Sequence, residues 1–157
     1  MLTIPKQRSL HLSLTASGLL FVMCVLGAAF MPRIMETLIR IHDTMHGHST
    51  LTYTDVILLY AMAYAILAVT VFTDVLLLRL LLRVRRELVF TPGSIRLIRG
   101  ISWCCFLIGF IFIAVGIYFR VALCITLLAG FLGLCVRVVK NVIEEATAIK
   151  SENDLTV

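Results

Sequence analysis

Charge is scarce in this sequence. Asp, Glu, Lys and Arg make up 15% of its residues, where a soluble domain carries about 25%. The apolar share is 61% and the mean hydropathy +1.04. A sphere of 157 residues has too little interior to hide that much apolar surface from water. A soluble enzyme, a disordered tail and a disulfide-stapled secreted domain are therefore excluded. Catalytic signatures are also lacking: the chain has no HExxH, no nucleophile elbow, no phosphate-cradling glycine loop and no paired acid and base at a common depth. It is read as a non-enzyme, with no cofactor expected. Alternating polar and apolar residues are absent from the apolar runs, which excludes barrel strands and leaves helices as the spanning structure.

What is present is a set of four charge-free runs, between Arg8 and Arg33, Asp55 and Asp74, Arg99 and Arg120, and Arg120 and Arg137. A hydrocarbon core of ~30 Å takes roughly 20 helical residues. The third and fourth runs form one apolar stretch, Gly100 to Val136, broken only by Arg120. As one helix it would be ~55 Å long, too long for a single crossing, so a hairpin turning near Tyr118–Arg120 is expected. Lys6 and Arg8 ahead of an apolar run resemble a signal peptide. The run is long, however, and Pro32-Arg33 follows it in place of a small-residue cleavage site, so a retained first helix is expected. The expected fold is all-α. A single four-span membrane domain, 1–157, forms a four-helix bundle of two hairpins, with spans near 11–32, 55–79, 100–119 and 121–137.

Four crossings put both termini on one side. Eleven of the 14 basic residues gather there: Lys6, Arg8, Arg79, Arg83, Arg85, Arg86, Arg96, Arg99, Arg137, Lys140 and Lys150. Arg33, Arg40 and Arg120 fall on the other side. The positive-inside rule then makes both termini, the loop 83–99 and the tail 138–157 cytoplasmic. The net charge of +5 is explained by insertion and anionic-lipid contact, and no direct nucleic-acid binding is expected.

On the outer side, Ile34, Leu38, Ile41 and Met45 recur at helical spacing, opposite Glu36, Arg40, Asp43 and His46. A short amphipathic helix on the outer interface is expected there. His42 and His46 share its face, and with Asp43 and His48 they are weak candidates for a zinc or proton site. The alternative is that they are ordinary solvated residues. All five cysteines (Cys24, Cys104, Cys105, Cys124 and Cys135) fall in predicted spans and read as small apolar residues.

On the inner side, Thr91 and Pro92 fit the N-cap and first position of the third helix. The tail carries Glu144, Glu145, Glu152 and Asp154, while the loop carries Arg83, Arg85, Arg86, Arg96 and Arg99. An acidic tail can dock on a basic loop, although solvated pairs contribute little. Inside the membrane, Asp74 is the one carboxylate set among apolar residues. The structural reading is an ion pair with Arg79 or, across helices, with Arg137. The functional reading is a proton- or cation-coupled site. The pairs Ala61/Ala65, Ala129/Gly133 and Gly109/Gly116 permit close helix approach, in a bundle or in a homodimer.

The segment Phe90–Trp103 and the tail Val136–Val157, ending Glu-Asn-Asp-Leu-Thr-Val, resemble the bacterial membrane family known as domain of unknown function 2975. That resemblance implies a four-helix bacterial inner-membrane protein with no established reaction. Members are often encoded beside a small helix-turn-helix regulator, which implies a membrane partner for it. The histidine cluster is not part of the family pattern. The combined expectation is a regulatory or sensory protein that docks such a regulator on Arg83–Arg99 and the acidic tail. The alternative is a small transporter, exporter or immunity protein for an ion, peptide or amphiphile, working through Asp74 and the outward histidines.

Overall fold

The structure is a computed structural model that describes residues 6–46, 51–86 and 88–154. It holds four helices: α1 Lys6–His46, α2 Tyr53–Arg85, α3 Pro92–Gly116 and α4 Ala122–Asp154. No strand occurs among the described residues. All four helices are long and apolar enough to cross a membrane, and the chain is a multi-pass membrane protein.

The first helix differs from expectation. It runs unbroken for 41 residues, about 60 Å, and carries Pro32 in its interior. The segment expected as a separate amphipathic helix is its last turns. Proline removes one backbone N–H and leaves a carbonyl one turn back without its donor. Membrane helices tolerate such a break when neighbouring groups take up the freed polar atoms. Nearby, Tyr60 of α2 donates its hydroxyl to the Pro32 carbonyl at 3.4 Å.

Local chemistry sets the other boundaries. Asp55 starts α2 by accepting the Thr52 N–H on Oδ2 at 2.9 Å, satisfying a donor that the helix leaves open. Between α2 and α3 the connection is tight. The Leu88 carbonyl accepts the hydroxyls of both Thr91 and Ser94, at 2.9 and 2.8 Å. Ser94 is fully buried by this fold-back. Pro92 opens α3, where a missing N–H costs nothing. The turn between α3 and α4 occupies residues 117–121.

The helices pack in chain order: α1 on α2, α2 on α3, and α3 most extensively on α4. Among the described residues α1 makes no close backbone approach to α3 or α4, and α2 makes none to α4. The arrangement is a row of antiparallel neighbours, where a four-helix bundle of two hairpins was expected. In lipid this is stable, because acyl chains solvate an apolar helix face as well as a protein neighbour does. Accordingly Leu19, Met23, Phe72, Phe110, Leu127 and Phe131 are all exposed.

The strongest seam joins α3 to α4. Small residues let the backbones approach: a Cβ on Gly109 would sit 3.6 Å from that of Ala129, and one on Gly133 would sit 3.1 Å from the Phe106 ring. Hydroxyls cross the same seam, with Ser102 Oγ donating to the Gly133 carbonyl at 2.9 Å. Leu76, Ile101 and Cys104 form the core between α2 and α3, with Val136 packed against it from α4. Ala61 and Ala65, by contrast, lie exposed and bring no helix close.

Candidate functional site

The candidate polar residues fall into three places. The deepest is Asp74, 2% exposed on α2. Its Oδ1 accepts the Ser17 hydroxyl of α1 at 2.5 Å. Its Oδ2 is buried without a hydrogen-bond partner. Neither expected ion pair forms among the described residues, and the packing shows why. Arg79 follows five residues later, about 140° around the helix, and its side chain is exposed. Arg137 belongs to α4, which α3 separates from α2. Asp74 instead faces α1, where Ser17 is itself only 3% exposed. Sequence reasoning missed Ser17, although a hydroxyl in the first span was the signal that could have found it. Asp74 is the only fully buried carboxyl among the described residues.

The second place is the end of the molecule rich in arginine. Arg85, Arg86, Arg96, Arg99 and Arg137 are all exposed there. Arg83 is half-buried, and its guanidinium lies against Gly93 at the start of α3. Two charges bridge α3 to the far half of α4. Arg99 Nη2 lies 3.7 Å from Glu144 Oε1, and Lys140 pairs with Glu144 one helical turn away. Lys140 also donates to Asn141 Oδ1 at 3.2 Å. Of the residues expected to form an acidic tail, Glu144 thus meets the basic segment, while Glu145 and Glu152 are exposed. The side chain of Asp154 lies outside the described residues. Between α3 and α4, Arg99, Ser102, Trp103, Arg137 and Lys140 line a groove of about 290 Å³.

The third place is at the opposite end. His42 is buried, not solvated, and its ring meets that of Phe119 edge-on at 5.6 Å. Its Nδ1 is 3.8 Å from Asp43 Oδ1. Phe119 of the α3–α4 turn covers His42, whereas Ile34, Leu38 and Ile41, the apolar face expected for this segment, are exposed. The side chains of His46 and His48 lie outside the described residues. Among those described, no three metal-ligating side chains come together. Close by, Tyr118 of the turn donates its hydroxyl to Asp55 Oδ1 at 3.0 Å. Accepting that proton's hydrogen bond, the Asp55 carboxylate holds the Tyr118 phenol above the usual tyrosine range.

A family model described as a protein of unknown function, DUF2975, matches residues 3–157. No curated protein and no solved structure matches the chain. Nearly its whole length lies within that model, and the chain belongs to the DUF2975 family.

Proposed function

We propose that this protein is a non-enzymatic regulatory or sensory protein of the bacterial inner membrane. Its arginine-rich end faces the cytoplasm and docks a small soluble helix-turn-helix regulator. The observation that carries this reading is the Arg99–Glu144–Lys140 contact. It joins the charged half of α4, which carries exposed Glu145 and Glu152, to the start of α3, which carries exposed Arg96 and Arg99. Such a mixed-sign surface suits a protein partner, since complementary charge steers association and fixes register. The positive-inside bias supports the orientation, and the family resemblance supports the regulator as occupant. The test is co-purification of the full chain from detergent with the helix-turn-helix protein encoded beside it. Capture is expected to be lost on deleting residues 150–157. Undiminished capture by the shortened chain would remove the tail from the docking surface.

A second reading rests on Asp74. A buried carboxyl with one oxygen unpartnered is what an ion- or proton-coupled transporter, exporter or immunity protein would need at depth. Flux or resistance that is abolished by Asp74→Asn would favour it. Unchanged flux in that variant would dismiss it.

A further inference from the structure

The groove between α3 and α4 shares Arg99 and Lys140 with the proposed docking surface, but its Ser102, Trp103 and Arg137 enter neither reading. Three of its five lining side chains are cations, Arg99, Arg137 and Lys140, and a fourth is Trp103. Glu144 engages Arg99 and Lys140, but Arg137 forms no ion pair among the described residues. The groove therefore keeps a net positive charge. Its volume of about 290 Å³ is at the lower end of small-ligand clefts, enough for a headgroup and too small for a folded partner.

Its position identifies the ligand class. Arg99 and Arg137 stand where the apolar runs of α3 and α4 end, at headgroup level. Directly below, Trp103, Leu107 and Phe110 recur at helical spacing on one face of α3, and they are 63%, 48% and 71% exposed. Trp103 is braced edge-on by Phe106, ring centroids 6.4 Å apart. A phosphate oxyanion above this stripe would be held by forked guanidinium donors, while the acyl chain of the same molecule would lie along the stripe. A free anion would leave the stripe unused.

We propose that this groove binds the phosphodiester headgroup of an anionic phospholipid, with Arg137 and Lys140 as its principal donors and Trp103 at the acyl boundary. Basic pockets between membrane helices recognise such headgroups by the same chemistry.

The experiment is a titration of the purified full-length protein in detergent, read by native mass spectrometry. The probes are phosphatidylglycerol and phosphatidylcholine with identical acyl chains. Phosphatidylglycerol is expected to bind about tenfold tighter, Arg137→Gln to weaken it about fivefold, and Arg85→Gln at the same end to change it by less than about twofold. Millimolar inorganic phosphate should not displace the lipid. Equal affinity for the two lipids would overturn the proposal, as would equal effects of Arg137→Gln and Arg85→Gln. Displacement by phosphate would overturn the lipid assignment in favour of a soluble anion. The unaltered chain gives an independent readout. Trp103 is its only tryptophan, so phosphatidylglycerol with brominated acyl chains should quench its fluorescence more strongly than brominated phosphatidylcholine. Equal quenching would contradict the site.

Discussion

Ser17 and Asp74 lie 57 residues apart in the chain and meet across the α1–α2 interface, the serine hydroxyl 2.5 Å from the carboxyl oxygen. This is the one side-chain hydrogen bond between α1 and Asp74, and it joins two groups that are each at most 3% exposed. Interhelical hydrogen bonds in membranes average ~0.6 kcal/mol and reach ~1.7 kcal/mol. Ser17→Ala is therefore expected to destabilise the protein by about 1 kcal/mol, because it also strands the second carboxyl oxygen. Asp74→Leu should abolish the effect of Ser17→Ala. A double-mutant cycle of thermal unfolding in detergent measures this, and zero coupling would contradict the contact.

The α3–α4 seam predicts contrasting outcomes for two glycines of one helix. A side chain on Gly133 must displace the Phe106 ring, whereas a Cβ on Gly130 meets nothing within 4 Å. Gly133→Leu is expected to cost about 1–3 kcal/mol through overpacking. Gly130→Ala should be neutral or stabilising by up to about 1 kcal/mol, through helix propensity alone. Unfolding of the two variants in detergent decides between them, and equal costs would place the seam elsewhere.

Tyr118 gives a prediction with pH. Its phenol is held above the ordinary tyrosine value by the Asp55 carboxylate. A group whose folded pKa is raised stabilises the fold fully below its unfolded pKa, near 10, and loses that contribution as pH rises through the folded value. The tether of the turn to α2 should therefore hold at neutral pH and loosen only in strong alkali. Ultraviolet titration should show a late-ionising component from Tyr118, which Tyr118→Phe should delete. A late component that persists in the variant would contradict the assignment.

Glu144 partly neutralises Arg99 and Lys140. Glu144→Gln should accordingly strengthen phosphatidylglycerol binding by about fivefold, the opposite sense to Arg137→Gln. The same native mass spectrometry titration reads it. Weakened binding would show that Glu144 positions the cations instead of opposing the headgroup.

How far all this could be read in advance varied with the physics involved. Helix number followed from run lengths between charges, because hydrocarbon thickness leaves few alternatives. The α3–α4 turn was marked by Arg120, a charge that breaks an otherwise continuous apolar stretch. Thr91 and Pro92 announced the start of α3 through purely local chemistry. The continuation of α1 through Pro32 was not legible, since proline normally ends or kinks a helix and only its neighbours decide otherwise. Partners at depth were equally hidden. Charge complementarity nominated Arg79 and Arg137 for Asp74, but helix rotation and the chain-order packing delivered Ser17 instead. His42 looked solvated because its neighbours in sequence are polar, while the ring that covers it, Phe119, is far along the chain. The cationic groove was out of reach for the same reason. Trp103 and Arg137 become neighbours only when the α3–α4 hairpin closes.

The most direct measurement for the account as a whole is cysteine accessibility in intact cells, with a membrane-impermeant maleimide applied to Ser49→Cys and Val157→Cys in turn. Ser49→Cys should label from outside, and Val157→Cys only after the membrane is permeabilised. Labelling of Val157→Cys in sealed cells, with Ser49→Cys protected, would invert the topology and remove the arginine-rich end from the cytoplasm.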